Sequence, residues 1–204
     1  MLDPKILRLV AITDDAEDQR KTLIDRVAAS VRGGATSVQV RLKTASSREV
    51  VEITKAIIAR VDVPVIVNDR ADIALAAGAA GVHVGEADLP VEAVRRFAPA
   101  GFIIGASLGS DAELLNAKNA DYVGIGPVFA SDSKNDAGTA IGVAGFEKLA
   151  ALVPHPAVAV GGITADRALQ ITVHGAAGVA VINAIFSSDD PESATRAIAA
   201  AIGT

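Results

Sequence analysis

Gly34-Ala35-Thr36-Ser37-Val38-Gln39-Val40-Arg41-Leu42-Lys43 decides how this 204-residue chain folds. A glycine able to take a left-handed cap ends one helix, a short β-branched run follows as a strand, and polar side chains close it. The opening phrase returns as Gly78-Ala79-Ala80-Gly81-Val82 and Gly175-Ala176-Ala177-Gly178-Val179, with Asn119-Ala120-Asp121-Tyr122-Val123 as a looser copy. Each copy reads as the same helix-to-strand turn. The polar ending also recurs, as Asn68-Asp69 after Val63 to Val67 and as Ser131-Asp132-Ser133-Lys134 after Tyr122 to Gly126. Ligands of parallel α/β folds bind at the carboxyl ends of strands, so these residues are expected to converge on one pocket.

Outward from that stretch, eight strand candidates alternate with helix candidates at roughly 25-residue intervals. The strands are about Arg8 to Ile12, Thr36 to Arg41, Val63 to Val67, Gly81 to Val84, Phe102 to Ala106, Tyr122 to Gly124, Ala157 to Val160 and Gly178 to Val181. The helices are Arg20 to Arg32, Ser47 to Arg60, Arg70 to Ala77, Val91 to Phe97, Asp111 to Lys118, Val143 to Leu152, Ala165 to His174 and Pro191 to Ile202. Ser46 or Ser47 can cap the second helix, Ser110 and Asp111 mark the fifth, and Asp190 precedes a proline at the first turn of the last. Eight such units make an α/β fold of the TIM (β/α)8 barrel type, one domain over residues 1–204. An open doubly wound sheet is the rival, since the chain is short for a barrel.

Half of the residues are hydrophobic and only 3% aromatic, with alanine, valine, isoleucine and glycine dominant. That suits parallel strands buried on both faces. A net charge of -5 without a basic stripe argues against a nucleic-acid surface. The absence of cysteine excludes disulfides and thiolate chemistry. No apolar run reaches the length of a membrane span, and the amino terminus does not read as a signal sequence. The expectation is a cytoplasmic protein that acts on small molecules. A homo-oligomer is compatible with the sequence.

Three kinds of chemistry gather at the strand ends. Val160-Gly161-Gly162-Ile163-Thr164 places bare backbone before a helix, and Val181-Ile182-Asn183-Ala184 adds backbone and an amide from the eighth strand. Together they suit a phosphate, although glycines can serve tight turns alone. Asp69 and Asp88 follow the third and fourth strands and offer oxygen ligands for Mg2+. Read separately, Asp69 is an ion-pair partner for Arg70 and Asp88 a helix cap. Arg41 and Lys43 lie two apart, hence on one face, and Lys134 stands in the serine-rich loop after the sixth strand. These cations with magnesium can hold a multiply charged leaving group.

The residues Gln39-Val40-Arg41-Leu42-Lys43, Val67-Asn68-Asp69-Arg70, Gly81 to Pro90, Ile104-Gly105-Ala106-Ser107, Asp121 to Phe129 and Gly161-Gly162-Ile163, in that order, resemble the hallmarks of the thiamine-phosphate synthase family, also called thiamine-phosphate pyrophosphorylase. The resemblance covers nearly the whole chain. It implies a transferase that joins hydroxymethylpyrimidine diphosphate to hydroxyethylthiazole phosphate and releases pyrophosphate. It also implies that Asp69 and Asp88 bind magnesium. Gln39, Arg41, Lys43, Asn68, Ser107 and Lys134 match positions that hold the pyrimidine diphosphate. Ser131, Ser133, Gly162, Ile182 and Asn183 match those that hold the thiazole phosphate. The implied mechanism is dissociative, with catalysis by Arg41, Lys43, Lys134 and Ser107 around the departing pyrophosphate and no enzyme nucleophile.

Departures from the family pattern are Leu42 where an acidic residue is usual, Ser131 and Ser133 where threonines are usual, Asn183 where serine is common, and no histidine after Ser107. The last separates this chain from a related thiazole tautomerase branch, which uses a histidine there. His83, His155 and His174 read as structural. Two further alternatives are a phosphosugar isomerase, which would leave the three cations without a task, and a non-catalytic precursor-binding protein, which would have lost a metal ligand or the diphosphate lysine.

Overall fold

Strands buried on both faces must pair all the way round or leave an edge open. The computed structural model of the chain describes residues 2–15, 17–130 and 139–204 and shows the first outcome, a closed barrel in the order β1 to β8. The strands are β1 Leu9–Ile12, β2 Ser37–Val40, β3 Val65–Asn68, β4 Gly81–Val84, β5 Ile103–Leu108, β6 Tyr122–Ile125, β7 Ala157–Val160 and β8 Gly178–Val181. Every neighbouring pair is parallel, and β8 closes on β1 through Val10 opposite Ala180. The open-sheet alternative is thereby removed.

The helices are α1 Leu23–Arg32, α2 Ser47–Ile58, α3 Ala71–Ala77, α4 Val91–Phe97, α5 Leu114–Ala117, α6 Gly142–Ala150, α7 Ala165–Val173, α8 Asn183–Phe186 and α9 Pro191–Ile202. Glu17–Thr22 and Asp111–Glu113 are 3-10 turns, so the first and fifth helices begin later than their patterns predict. The single turn α8 has no counterpart in the sequence pattern, because four residues are too few to show a helical period. Ser46 caps α2 by accepting from the Glu49 N–H at 3.3 Å, and Asp190 caps α9 through the Ser193 N–H at 3.0 Å. Gly78 ends α3 at φ 73°, in the left-handed region that a side chain disfavours, as the repeated phrase requires.

Strand residues alternate between two apolar clusters. Val38, Val40, Val82, Ile104, Val123 and Val179 point outward and pack with the helices. Val10, Ile12, Ile66, Tyr122, Val158 and Ala180 form the barrel interior. Leu42 is 8% exposed and belongs to the outer cluster, so its side chain faces away from the barrel interior. Among the described residues no helix is long and apolar enough to cross a membrane.

Ile104 is fully buried between β5 and the helices. Ile104→Ala should therefore lower unfolding free energy by roughly 2–5 kcal/mol, measured as a fall in the denaturant midpoint at unchanged slope.

Candidate active site

The carboxyl ends of the strands open into a cavity of about 720 Å³, a size suited to small ligands. Its inner wall is apolar, with Val10, Ile12, Val158, Val160, Ala180 and Ile182. Its rim carries the polar residues that the strand ends supply. Gln39, Arg41, Lys43, Asn68, Asp69, Asp88, Ser107, Gly162, Ile182 and Asn183 all line it. Ser131, Ser133 and Lys134 lie outside the described residues, as does most of the Ala130 to Gly142 segment that reads as a lid.

Gln39, Arg41 and Lys43 reach the cavity at alternate positions from β2 onward, while Leu42 between the last two faces outward. Gln39 Nε2 donates to Asn68 Oδ1 at 2.6 Å, which locks two amides from adjacent strands into one orientation. Arg41 is 8% exposed and its backbone is held on both sides by Thr13, which accepts from the Arg41 N–H at 2.8 Å and donates to its carbonyl at 3.1 Å. Asp15 then ties the β1 loop to the β2 loop, accepting from the Thr44 N–H at 2.8 Å and from Arg20 Nη2 at 3.3 Å. A backbone fixed in this way keeps a guanidinium aimed before any ligand arrives.

Asp69 follows β3 with φ 65°, a conformation rare outside glycine that asparagine and aspartate tolerate best. Its N–H donates to the His83 carbonyl at 2.7 Å, which holds the turn against β4. Arg70 pairs instead with Asp72, at 2.6 Å and 2.9 Å, so Asp69 is not the partner of its neighbour. Asp88 accepts from the Gly85 N–H at 2.7 Å and closes the β4 loop rather than capping α4, whose cap position is Pro90. The two carboxylates confront each other. Burial first, then the charge of Asp88 and a hydrogen bond with it, push the Asp69 carboxyl up to about 6, against the pull of Lys43 and Arg41. Such a pair suits a hard divalent cation, whose charge relieves the repulsion. Among the described residues no three acidic, histidine or cysteine side chains gather into a group that could hold a metal ion.

The opposite rim is built from β7 and β8. Gly161 and Gly162 have φ of 96° and 64°, and a Cβ would meet Pro127 at 2.6 Å on the first and the Ala130 carbonyl at 2.6 Å on the second. Backbone geometry and close packing thus both require these glycines, and the backbone they leave exposed lines the cavity. Arg167, on α7, is a cation that the sequence reading missed. Its Nη1 donates to the Gly162 carbonyl at 2.7 Å and its guanidinium lies 4.9 Å from the centre of the Phe129 ring. No strand-end signal marks a side chain that arrives from the third residue of a helix.

His83 and Tyr122 were also missed as pocket residues, since each sits inside an apolar run. His83 is 9% exposed in the wall, whereas His155 binds the Lys118 carbonyl at 2.9 Å and His174 pairs with Glu147 at 2.7 Å, both away from the cavity.

Asp69 ionises less readily in the folded chain than in the unfolded one. Below 3.8 the carboxyl is protonated in folded and unfolded chains alike, and the stability conferred by the neutral form is lost as pH rises through about 6. Asp69→Asn keeps the backbone conformation without the charge. In metal-free buffer its melting temperature should exceed that of wild type by a margin that grows as pH is raised from about 4 to about 7.

The model of a family described as thiamine monophosphate synthase matches residues 9–185. The thiamine-phosphate synthase of Methanoculleus marisnigri is 42% identical over 195 residues, covering 93% of this chain and 92% of its own. That of Clostridium novyi is 38% identical over 197 residues, covering 94% and 97%. Among solved structures, thiamine phosphate pyrophosphorylase from Pyrococcus furiosus superposes with a TM-score of 0.87 at 38% identity, over 98% of this chain and 97% of that one. A geranylgeranylglyceryl phosphate synthase from Thermoplasma acidophilum, at 16% identity and a TM-score of 0.69, shares the fold alone. With the family model, these relatives and the shared barrel in agreement, the chain belongs to the thiamine monophosphate synthase family of transferases.

Proposed function

We propose that this chain, acting as one barrel domain in the cytoplasm, condenses hydroxymethylpyrimidine diphosphate with hydroxyethylthiazole phosphate to give thiamine phosphate and pyrophosphate. The carrying observation is one cavity with an apolar inner wall between two anion-suited rims: Arg41, Lys43, Asp69 and Asp88 from β2 to β4, and Gly161, Gly162, Ile182 and Asn183 from β7 and β8. In a closed eight-stranded ring these two groups face each other. Two phosphorylated ligands with their rings inward fit that polarity.

The reaction balances without an enzyme nucleophile. The bond from the pyrimidine methylene to the diphosphate oxygen breaks, and both electrons leave with pyrophosphate. The amino-substituted ring stabilises the resulting cation, and the lone pair of the thiazole nitrogen forms the new carbon–nitrogen bond. Arg41 and Lys43 stabilise the charge that develops on the leaving group, with Lys134 assigned the same task by resemblance. The Gln39–Asn68 amide pair and the Ser107 hydroxyl orient the pyrimidine diphosphate. Ser131 and Ser133, by resemblance, and Gly162, Ile182 and Asn183 hold the thiazole phosphate. Magnesium, held by Asp69 and Asp88 with ligand oxygens, neutralises part of the diphosphate charge when bound. A tautomerase role lacks its histidine, since Ser107-Leu108-Gly109-Ser110 holds none.

Purified protein given both substrates and magnesium should form thiamine phosphate, followed by mass spectrometry, and should lose that ability with chelator or in Asp69→Ala. Absence of product from folded protein would leave a binding protein as the better reading. Arg41→Ala should lower kcat on the order of a hundredfold, about 3 kcal/mol of lost electrostatic stabilisation, with folding checked by circular dichroism. Lys134→Ala should abolish turnover without unfolding the chain.

A further inference from the structure

One buried polar group in the cavity wall has no task in that reaction. His83 lies on β4, and its imidazole bridges the next two strands: Nδ1 is 3.1 Å from the Tyr122 hydroxyl and Nε2 is 3.2 Å from Ser107 Oγ. The register accounts for the bridge. His83 pairs with Gly105 on β5, Gly105 pairs with Tyr122 on β6, and Ser107 pairs with Gly124. The ring therefore crosses β5 where that strand carries no side chain. A Cβ on Gly105 would run into the Tyr122 ring and come within 2.6 Å of His83 Nδ1, and one on Gly124 would come within 3.0 Å of His83 Cε1. Two glycines on adjacent strands thus clear the space that the imidazole occupies.

A Tyr122 hydroxyl that donates to His83 sets the direction of both hydrogen bonds. Tyr122 is 2% exposed, and burial, with the charge of Asp121, pushes its ionisation well above the usual phenol range. It keeps its hydrogen, and among the described residues His83 Nδ1 is the partner that can accept it. Nδ1 is then an acceptor, the ring carries its proton on Nε2, and Nε2–H donates to Ser107 Oγ. Ser107, already accepting, has its own hydrogen left for the cavity that it lines. With the opposite tautomer Ser107 would donate to Nε2 and turn lone pairs toward an anion.

We propose that His83 is a positioning residue: the chain from Tyr122 through His83 to Ser107 fixes the Ser107 hydroxyl as a donor to an anionic oxygen of the diphosphate ligand. The inference rests on the reading of Ser107 as a ligand contact in the proposed reaction.

Nitrogen-15 NMR of histidine-labelled protein, with His83 assigned by loss of its signals in His83→Gln, reads the tautomer without any substrate. The Nε2–H form is expected in wild type, and Tyr122→Phe should release that preference. Titration with inorganic pyrophosphate and magnesium then tests the consequence. Tyr122→Phe should weaken binding roughly tenfold, the scale of a hydrogen bond to a charged group. It should cost nothing further in a Ser107→Ala background, and the same non-additivity should appear in kcat for the condensation. An Nδ1–H tautomer or an imidazolium in wild type overturns the proposal, as does a Tyr122→Phe loss that adds in full to that of Ser107→Ala. Missing turnover in wild type counts against the condensation alone, because the NMR and pyrophosphate measurements decide the relay by themselves.

Discussion

Closure of the parallel ladder, with β8 hydrogen-bonded back to β1, is the constraint on which everything else depends. A ring of eight strands is too narrow to accept a full side chain from every strand at every level. Large and small residues must therefore alternate around it. Gly81 faces Ile103, Gly178 faces Leu7, and Gly105 admits the rings of Tyr122 and His83. The lower interior fills with Leu7, Val10, Ile66 and Val158, and what remains open is the upper end, where strands give way to loops.

That geometry sorts the chemistry. Every inward position near the top of a strand faces the cavity, while the next residue along faces the helices. Gln39, Arg41 and Lys43 fall on one side of the alternation, and Val38, Val40 and Leu42 on the other. A residue swap at position 42 is silent for the cavity, whereas one at 41 or 43 alters its charge. The same arrangement concentrates like charges. Asp69 and Asp88 meet under partial burial, at a cost in stability, and the cost has the character of preorganisation toward a cation.

Much of this is legible in the sequence. Strand ends carry polar residues because the loops beyond them are where water and ligands reach, so Arg41, Asp69, Asp88 and Asn183 could be located by inspection. The β4, β7 and β8 boundaries match those read from the pattern, since each begins or ends at a glycine or proline signal. Thr13, Tyr122, His83 and Arg167 were not read as site residues. Thr13 acts through the backbone of Arg41. Tyr122 and His83 sit within apolar runs, where inward-facing and outward-facing residues look alike. Arg167 arrives from a helix, whose charged residues usually face solvent. The turn α8 is shorter than one period of the signal that identifies helices.

By itself the sequence determined the number and order of the β/α units, the turns that join them, and the kinds of groups at each strand end, because period, turn chemistry and charge are local properties. Only the tertiary structure decided that the sheet closes, that Leu42 points outward, that Asp69 confronts Asp88, and that His83 links Tyr122 to Ser107. Those facts depend on register between strands distant in sequence, and register is set by how side chains from all eight strands share one narrow interior.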